Sequence, residues 1–125
     1  MTRSFLLCAL FVLIASLSYA QKNATDTKNA EKFVTYFNKA QTDSLYTLFA
    51  DQIKPQLPLP ALGTAVQQLK ATLGNLTGSE YFETQQGVNS YVAVFEKSGP
   101  VLYINFANNK IVGFFANEDK RKVNR

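Results

Sequence analysis

The apolar residues change from a helical to a strand spacing between Gly74 and Gly78, and this change divides the chain into two parts. Before it, apolar side chains recur three and four residues apart, which is the spacing of one helix face. After it, aromatic and β-branched residues form runs separated by short turn sequences. Helices followed by strands predict an α+β fold, with three helices packed on one face of a four-stranded antiparallel sheet.

Three helices are predicted before Gly74. The first spans about residues 28–40, and the second is a short helix that Thr42 and Asp43 can cap. The third begins near Pro60, whose missing N–H suits the first turn of a helix, and ends at Gly74. The segment "PQLPLPALG" therefore begins as a stiff extended crossing over residues 55–59, because residues that precede proline favour extended backbone. Since its leucines are needed for packing, it is neither a linker nor a proline-rich ligand.

Four strands are predicted at residues 79–86, 90–97, 101–107 and 110–117, with a tight hairpin at Asn108–Asn109 because asparagine tolerates positive φ. The strand 101–107 carries apolar residues on both faces, so the sheet face away from the helices is not a plain solvent face. A second copy of the chain is the preferred cover, and the C-terminal tail or a fused domain are the alternatives. The expected contacts on that face are Tyr91, Tyr103 and Phe114.

The first twenty residues have the layout of a secretory signal peptide, with Arg3 as a basic start, an apolar run over residues 5–17 and a small-residue ending at Ala20. The run is short for a bilayer span, which needs about 20 apolar residues, so no stable membrane anchor is expected. We expect export to the periplasm or the medium after cleavage near Ala20. A flexible lead-in over 21–29, one domain over 30–117 and a solvated basic tail over 118–125 would follow.

Composition limits the chemistry that remains after this cleavage. The chain beyond Ala20 has no cysteine, histidine or tryptophan, so the usual zinc, copper and iron sites and a histidine-based triad cannot be built. No cofactor or metal is expected. Residues 21–117 hold eight lysines and seven carboxylates, so most of the net charge of +4 comes from Arg3 and the tail. A nucleic-acid partner is not expected, because the folded part lacks a basic stripe interleaved with aromatics.

Two longer stretches, "LPLPALGTAVQQLKATLG" (57–74) and "YVAVFEKSGPVLYINFANNKIVGFF" (91–115), carry a family resemblance. They resemble the bacterial domain of unknown function 3887, which belongs to the nuclear transport factor 2-like superfamily, and the similarity covers about residues 33–117. The resemblance implies a cone-shaped fold, in which three helices and a strongly curved sheet enclose a pocket. It also implies frequent occurrence beside serine-hydrolase or peptidase-like domains in exported proteins. Relatives often carry an aromatic residue at the position of Val66, so the pocket here is expected to be wider or differently packed.

The leading hypothesis is an exported, non-catalytic domain that binds a small apolar ligand or serves as an accessory module of the type found beside serine hydrolases. Concave and mainly apolar sites suit such ligands, and the space between the sheet and the helices is the expected place. The expected lining residues are Tyr36, Phe37, Tyr46, Val66, Leu69, Phe82, Val92 and Ile104. A structural or dimerisation module that uses the other sheet face is the alternative.

A small lyase or isomerase of the superfamily type is the third hypothesis. Such a site needs a carboxylate tuned by burial and a donor for developing negative charge. The candidate parts are the carboxylates of Asp43, Asp51, Glu80, Glu83 and Glu96 and the hydroxyls of Tyr36, Tyr46, Tyr81, Tyr91 and Tyr103. Because the motifs of those enzymes are absent and unpaired carboxylates are almost never buried, no catalytic residue is expected.

Overall fold

The computed structural model describes residues 24–123, with side chains as far as Arg121. Its helices are α1 over residues 24–38, α2 (Thr42–Tyr46), α3 (Leu59–Leu73) and α4 (Lys120–Val123), and a 3-10 turn lies at Asp51–Ile53. The predicted signal peptide lies outside the described residues. Within the described part of the chain, no helix is long and apolar enough to cross a membrane.

The helix α1 begins earlier than the apolar spacing predicts. Residues 24–29, which the sequence assigns to a flexible lead-in, are helical, and both Asp26 and Ala30 are buried. The helix closes where Ala40 adopts a φ of 55° and the Gln41 N–H donates to the carbonyl of Tyr36 at 2.9 Å. This tight closure makes Gln41 the residue before α2, and no side chain caps that helix, so the predicted capping at its start was wrong.

The proline segment leads into α3 in a different way from the predicted extended crossing. Residues 54–56 form a turn, in which the Gln56 N–H donates to the carbonyl of Ile53 at 3.0 Å. Only Pro58, with φ −64° and ψ 157°, is extended immediately before the helix, and Pro60 lies in the first turn as predicted. At the other end, Gly74 has a φ of 86° and its N–H donates to the carbonyl of Lys70 at 2.9 Å.

Four antiparallel strands, β1 (Leu76–Gln85), β2 (Val88–Phe95), β3 (Val101–Ala107) and β4 (Lys110–Asn117), follow in the spatial order β1-β2-β3-β4. The α+β class and the sheet are confirmed, and β3 and β4 have the predicted bounds. The hairpin at Asn108–Asn109 is also confirmed, since both residues have positive φ. The strand β2 begins earlier than predicted because Gln86 and Gly87 form a two-residue turn with positive φ at both positions, and β1 begins at Leu76, three residues before its predicted start.

The main core lies between the helices and one face of the sheet, which we call the inner face. It joins α1, α2 and α3 to β2, β3 and β4 through buried aromatic and aliphatic side chains. Its largest members are Tyr91, Phe33, Phe37, Phe49 and Phe106. A second, smaller apolar cluster lies on the opposite face, which we call the outer face, and contains Val92, Val101 and Tyr103.

Candidate functional site

Strand pairing determines which of the predicted contact residues face the helices. Tyr91 pairs with Ile104, and Ile104 pairs with Phe114, so these three form one row across β2, β3 and β4 on the inner face. Tyr103 belongs to the next row and lies on the outer face. The prediction that Tyr91 and Phe114 form outer-face contacts was therefore wrong. Alternation shows that neighbouring residues point in opposite directions, but it does not show which set meets the helices.

The eight residues predicted to line one pocket separate into two groups. Phe37, Val66 and Ile104 are buried in the main core, with exposed fractions of 1%, 2% and 0%. Partly buried side chains packed against that core are Tyr36, Tyr46 and Leu69. Phe82 and Val92 lie on the outer face, so they cannot share a wall with the other six. Phe82 is displaced by a bulge, because Tyr81 and Glu83 pair with the consecutive residues Tyr91 and Ser90.

A groove of about 250 Å³ lies on the outer face, where β1 and β2 meet the C-terminal segment. Its floor is apolar and consists of Val92 and Val94 from β2. A carboxylate from Glu80 and a guanidinium from Arg121 stand at its wall. The remaining lining residues are Thr77, Gly78 and Ser79. The groove thus combines an apolar floor with one paired cation and anion.

Tyr103 holds the C-terminal segment on this face. Its hydroxyl donates to the carbonyl of Glu118 at 2.8 Å and accepts from the backbone N–H of Lys120 at 2.9 Å. The ring is 3% exposed and lies between the rings of Phe82, at 5.7 Å, and Phe115, at 5.2 Å. The hydroxyl is therefore fixed in position and uses both its donor and its acceptor capacity on main-chain groups.

Arg121 completes the attachment of this segment, which we call the strap (residues 118–121). Its Nε and Nη2 donate to the two carboxylate oxygens of Asp119, both at 2.9 Å, so the pair is bidentate. Nη1 forms an ion pair with Oε1 of Glu80 on β1. The tail was predicted to be solvated, and Glu118 and Lys120 are exposed, but the backbone of residues 118–121 is held on the outer face. The run of charged side chains in residues 118–121 gave no sign that the Tyr103 hydroxyl would hold the backbone of this segment.

A second polar cluster lies at the other end of the sheet, where α1 meets β2. Asp26 is 2% exposed; its Oδ2 accepts from Nδ2 of Asn89 at 2.7 Å, and its buried Oδ1 has no hydrogen-bond partner among the residues that the structure describes. The next residue, Thr27, shares a hydrogen bond of 2.8 Å with the hydroxyl of Tyr91. Sequence reasoning missed Asp26 because it stands in a polar stretch with no hydrophobic period.

The environment of Tyr91 changes its acidity. Burial raises the pKa of its phenol above the ordinary value, the hydrogen bond from Thr27 lowers it, and the charges of Asp26 and Tyr81 raise it further. The Tyr81 ring packs edge-on against Tyr91 at 5.7 Å and is 45% exposed. This cluster therefore keeps a neutral phenol beside a buried carboxyl group.

Comparison with known proteins gives one match. The model of a family described as "Protein of unknown function (DUF3887)" matches residues 30–114, well over half of the chain. The chain belongs to this family. The resemblance inferred from the sequence is thereby confirmed at the level of the family. Searches of curated proteins and of solved structures gave no match. The DUF3887 match includes the strands that form the outer groove, whereas Asp26 and the strap lie outside it.

The five carboxylates considered for catalysis are all exposed in the DUF3887 domain and its flanks. Glu80 pairs with Arg121, and Asp51 pairs with Lys54 at 3.3 Å. Oε1 of Glu96 accepts from the backbone N–H of Asn75 at 2.7 Å, and Oε2 of Glu83 accepts from Gln85 at 3.2 Å. Asp43 lies in the first turn of α2. Over residues 24–123, no three side chains of the histidine, cysteine or carboxylate types are placed to hold a metal ion.

Proposed function

We propose that this DUF3887 protein is an exported, non-catalytic binding module that works through the groove on its outer sheet face. The single observation that carries the proposal is the groove itself, with Val92 and Val94 as an apolar floor and charged groups at its wall. The predicted inner pocket has less support, because Phe37, Val66 and Ile104 pack within the core. A groove of this composition suits a partner with both an apolar and a charged part.

The proposal includes membership of a superfamily, export and an accessory role. Membership of the nuclear transport factor 2-like superfamily, and the cone shape that it implies, agree with three helices on a four-stranded sheet. Export follows from the signal-like layout of residues 1–20. N-terminal sequencing of the exported protein should give Gln21 as its first residue, and an intact Met1 in the exported protein would contradict cleavage. An accessory role beside a hydrolase rests on the family resemblance. The test is whether a hydrolase gene lies next to the gene that encodes this chain.

The location of the binding face can be tested with small probes. We expect phenol and isopropanol, titrated into the ¹⁵N-labelled chain from residue 21, to shift the amide resonances of residues 77–80 and 92–94. The buried core amides around Val66 and Leu69 should move little. Shifts concentrated on Val66, Leu69 and Ile104 would instead place the ligand between the helices and the sheet, and the proposal would be wrong. Light scattering after size exclusion tests the alternative of a homodimer through the same face.

A lyase or isomerase is the second candidate, and Asp26 is the observation that favours it. Its Oδ1 is buried without a hydrogen-bond partner in the described part of the chain, and its charge acts on the phenol of Tyr91. A carboxyl group and a phenol in a buried site are the parts that proton abstraction beside a carbonyl needs. The test is deuterium exchange into cyclohexenone, followed by NMR, with the wild type and Asp26→Asn. Exchange at the buffer rate in both proteins would end this candidate.

A further inference from the structure

We infer that the side of the outer groove formed by Glu80 and the neighbouring Tyr103 is a receptor for an arginine-bearing polypeptide segment, and that the strap binds there in cis as one wall of the groove. The inference rests on the proposed function, because it names the partner class of the same groove. The strap is four residues long, lies near the end of the described chain and falls outside the region matched by the DUF3887 family. Its contacts show which chemistry the groove accepts.

The first contact recognises main chain. Tyr103 donates to one backbone carbonyl of the strap and accepts from one backbone N–H two residues later. Only a polypeptide supplies an acceptor and a donor with that spacing, whatever its side chains are. Because Phe82 and Phe115 hold the Tyr103 ring on both sides, the hydroxyl remains in place when the strap leaves. The receptor is therefore largely preformed.

The second contact recognises a cation of a particular shape. Arg121 is 25% exposed and presents one edge of its guanidinium to Glu80 and another to Asp119. The receptor supplies the Glu80 contact, whereas Asp119 belongs to the strap itself and fixes the orientation of the guanidinium within the segment; a lysine ammonium lacks the planar fork that this bidentate pair needs. The side chain also lines the groove beside Val92 and Val94, and apolar surface of that kind favours the methylene groups of arginine. Arginine is thus preferred over lysine.

The charges around the groove disfavour nucleic acids and anionic lipids as partners. Glu80 is 59% exposed on the receptor side and would repel a phosphate group, so neither a nucleic acid nor an anionic lipid fits. Residues 21–117 are almost neutral, with eight lysines and seven carboxylates. The recognition therefore depends on local contacts and not on a field over the whole domain.

The strap is a competitor that an external segment can displace. Two hydrogen bonds and one partly exposed ion pair attach it to the sheet, and such contacts are weak individually. A segment with the same main-chain and arginine contacts has to displace the strap first. Its apparent affinity therefore falls as the fraction of molecules with a bound strap rises. Loss of the strap arginine should therefore increase binding of a segment in trans.

The test uses the chain from residue 21 with Arg121→Ala, which vacates the cation site while Glu80 and Tyr103 remain. The probe is the synthetic peptide NEDKRKVNR, which has the sequence of residues 117–125, and NMR titration gives its affinity. We expect Arg121→Ala to bind the peptide at least about threefold more tightly than the wild type does, as expected for a partly exposed ion pair. A peptide with alanine or lysine in place of its central arginine should bind at least about threefold more weakly.

Two further variants in the Arg121→Ala background check the receptor side. Glu80→Gln should lower peptide affinity about threefold, whereas Tyr103→Phe should change it less, because the residual strap and the peptide lose the same two hydrogen bonds to the hydroxyl. Lys97→Ala, an exposed change away from the groove, is the matched control and should have no effect. Equal binding of the arginine and alanine peptides, or no binding, overturns the inference. If phenol and isopropanol still map to the groove in that case, the proposed function survives and only the arginine-bearing partner is wrong.

Discussion

Replacing Tyr103 by phenylalanine removes one hydroxyl and leaves the buried ring between Phe82 and Phe115. The hydroxyl makes two hydrogen bonds to the strap, one with the carbonyl of Glu118 and one with the N–H of Lys120. Each such bond contributes about 0.5–1.5 kcal/mol net. Glu118 and Lys120 are exposed, so water can take over their backbone groups when the strap opens. We therefore expect a loss near the lower end, about 1 kcal/mol, which raises the population of the open strap about fivefold.

Amide hydrogen exchange measures this opening residue by residue. In Tyr103→Phe, the backbone amide of Lys120, which donates to the Tyr103 hydroxyl at 2.9 Å in the wild type, should exchange at least about fivefold faster than in the wild type. Amides of the central strands, such as that of Ile104, should keep their rates, because the strap opens without the sheet. Unchanged exchange at Lys120 would refute the attachment through the hydroxyl. Equal acceleration at Ile104 would show instead that Tyr103 supports the whole sheet.

The remaining predictions concern the core, one turn and the buried phenol. Phe37→Ala should lower the free energy of unfolding in urea by about 3–5 kcal/mol, because a ring that is 1% exposed is lost, and a loss below about 1 kcal/mol would contradict its place in the core. Gly74→Ala should cost about 1–3 kcal/mol, since φ 86° with ψ −162° is a region open almost only to glycine. Gly113→Ala, where an added Cβ meets no atom within 4 Å, is its control, and equal losses would contradict the explanation. Because burial raises the pKa of folded Tyr91 above the unfolded value of about 10, the folded state keeps the proton longer and stability falls as pH rises above about 10. Tyr91→Phe should remove this part of the slope of unfolding free energy against pH, and an unchanged slope would assign it to other groups.

The sequence predicted the bounds of the strands best where turn-forming residues separate them. The Asn108–Asn109 turn and the glycine–proline link before Val101 gave β3 and β4 their correct bounds. The turn at Gln86–Gly87 was harder to place, because glutamine with a φ of 53° is unusual and carries no strong turn signal. The end of β1 and the start of β2 were misplaced for that reason.

The candidate site depended on information that alternation does not contain. Both faces of β3 are apolar, so the sequence could not decide whether Tyr103 or Ile104 meets the helices. Bulges add to the difficulty, since one extra residue near Phe82 reverses the alternation along β1. The burial of Asp26 and the docking of the strap depend on contacts with residues fifteen or more positions away in sequence, at Asn89 and Tyr103. No periodicity in a polar segment predicts such contacts.

The most direct measurement of the central claim is a crystal structure of the Arg121→Ala chain bound to the peptide NEDKRKVNR. We expect the peptide to bind in the outer groove. Its central arginine should pair with the carboxylate of Glu80, and a backbone carbonyl and N–H should form hydrogen bonds with the hydroxyl of Tyr103. A peptide bound elsewhere, for example between the helices and the inner face of the sheet, would contradict it.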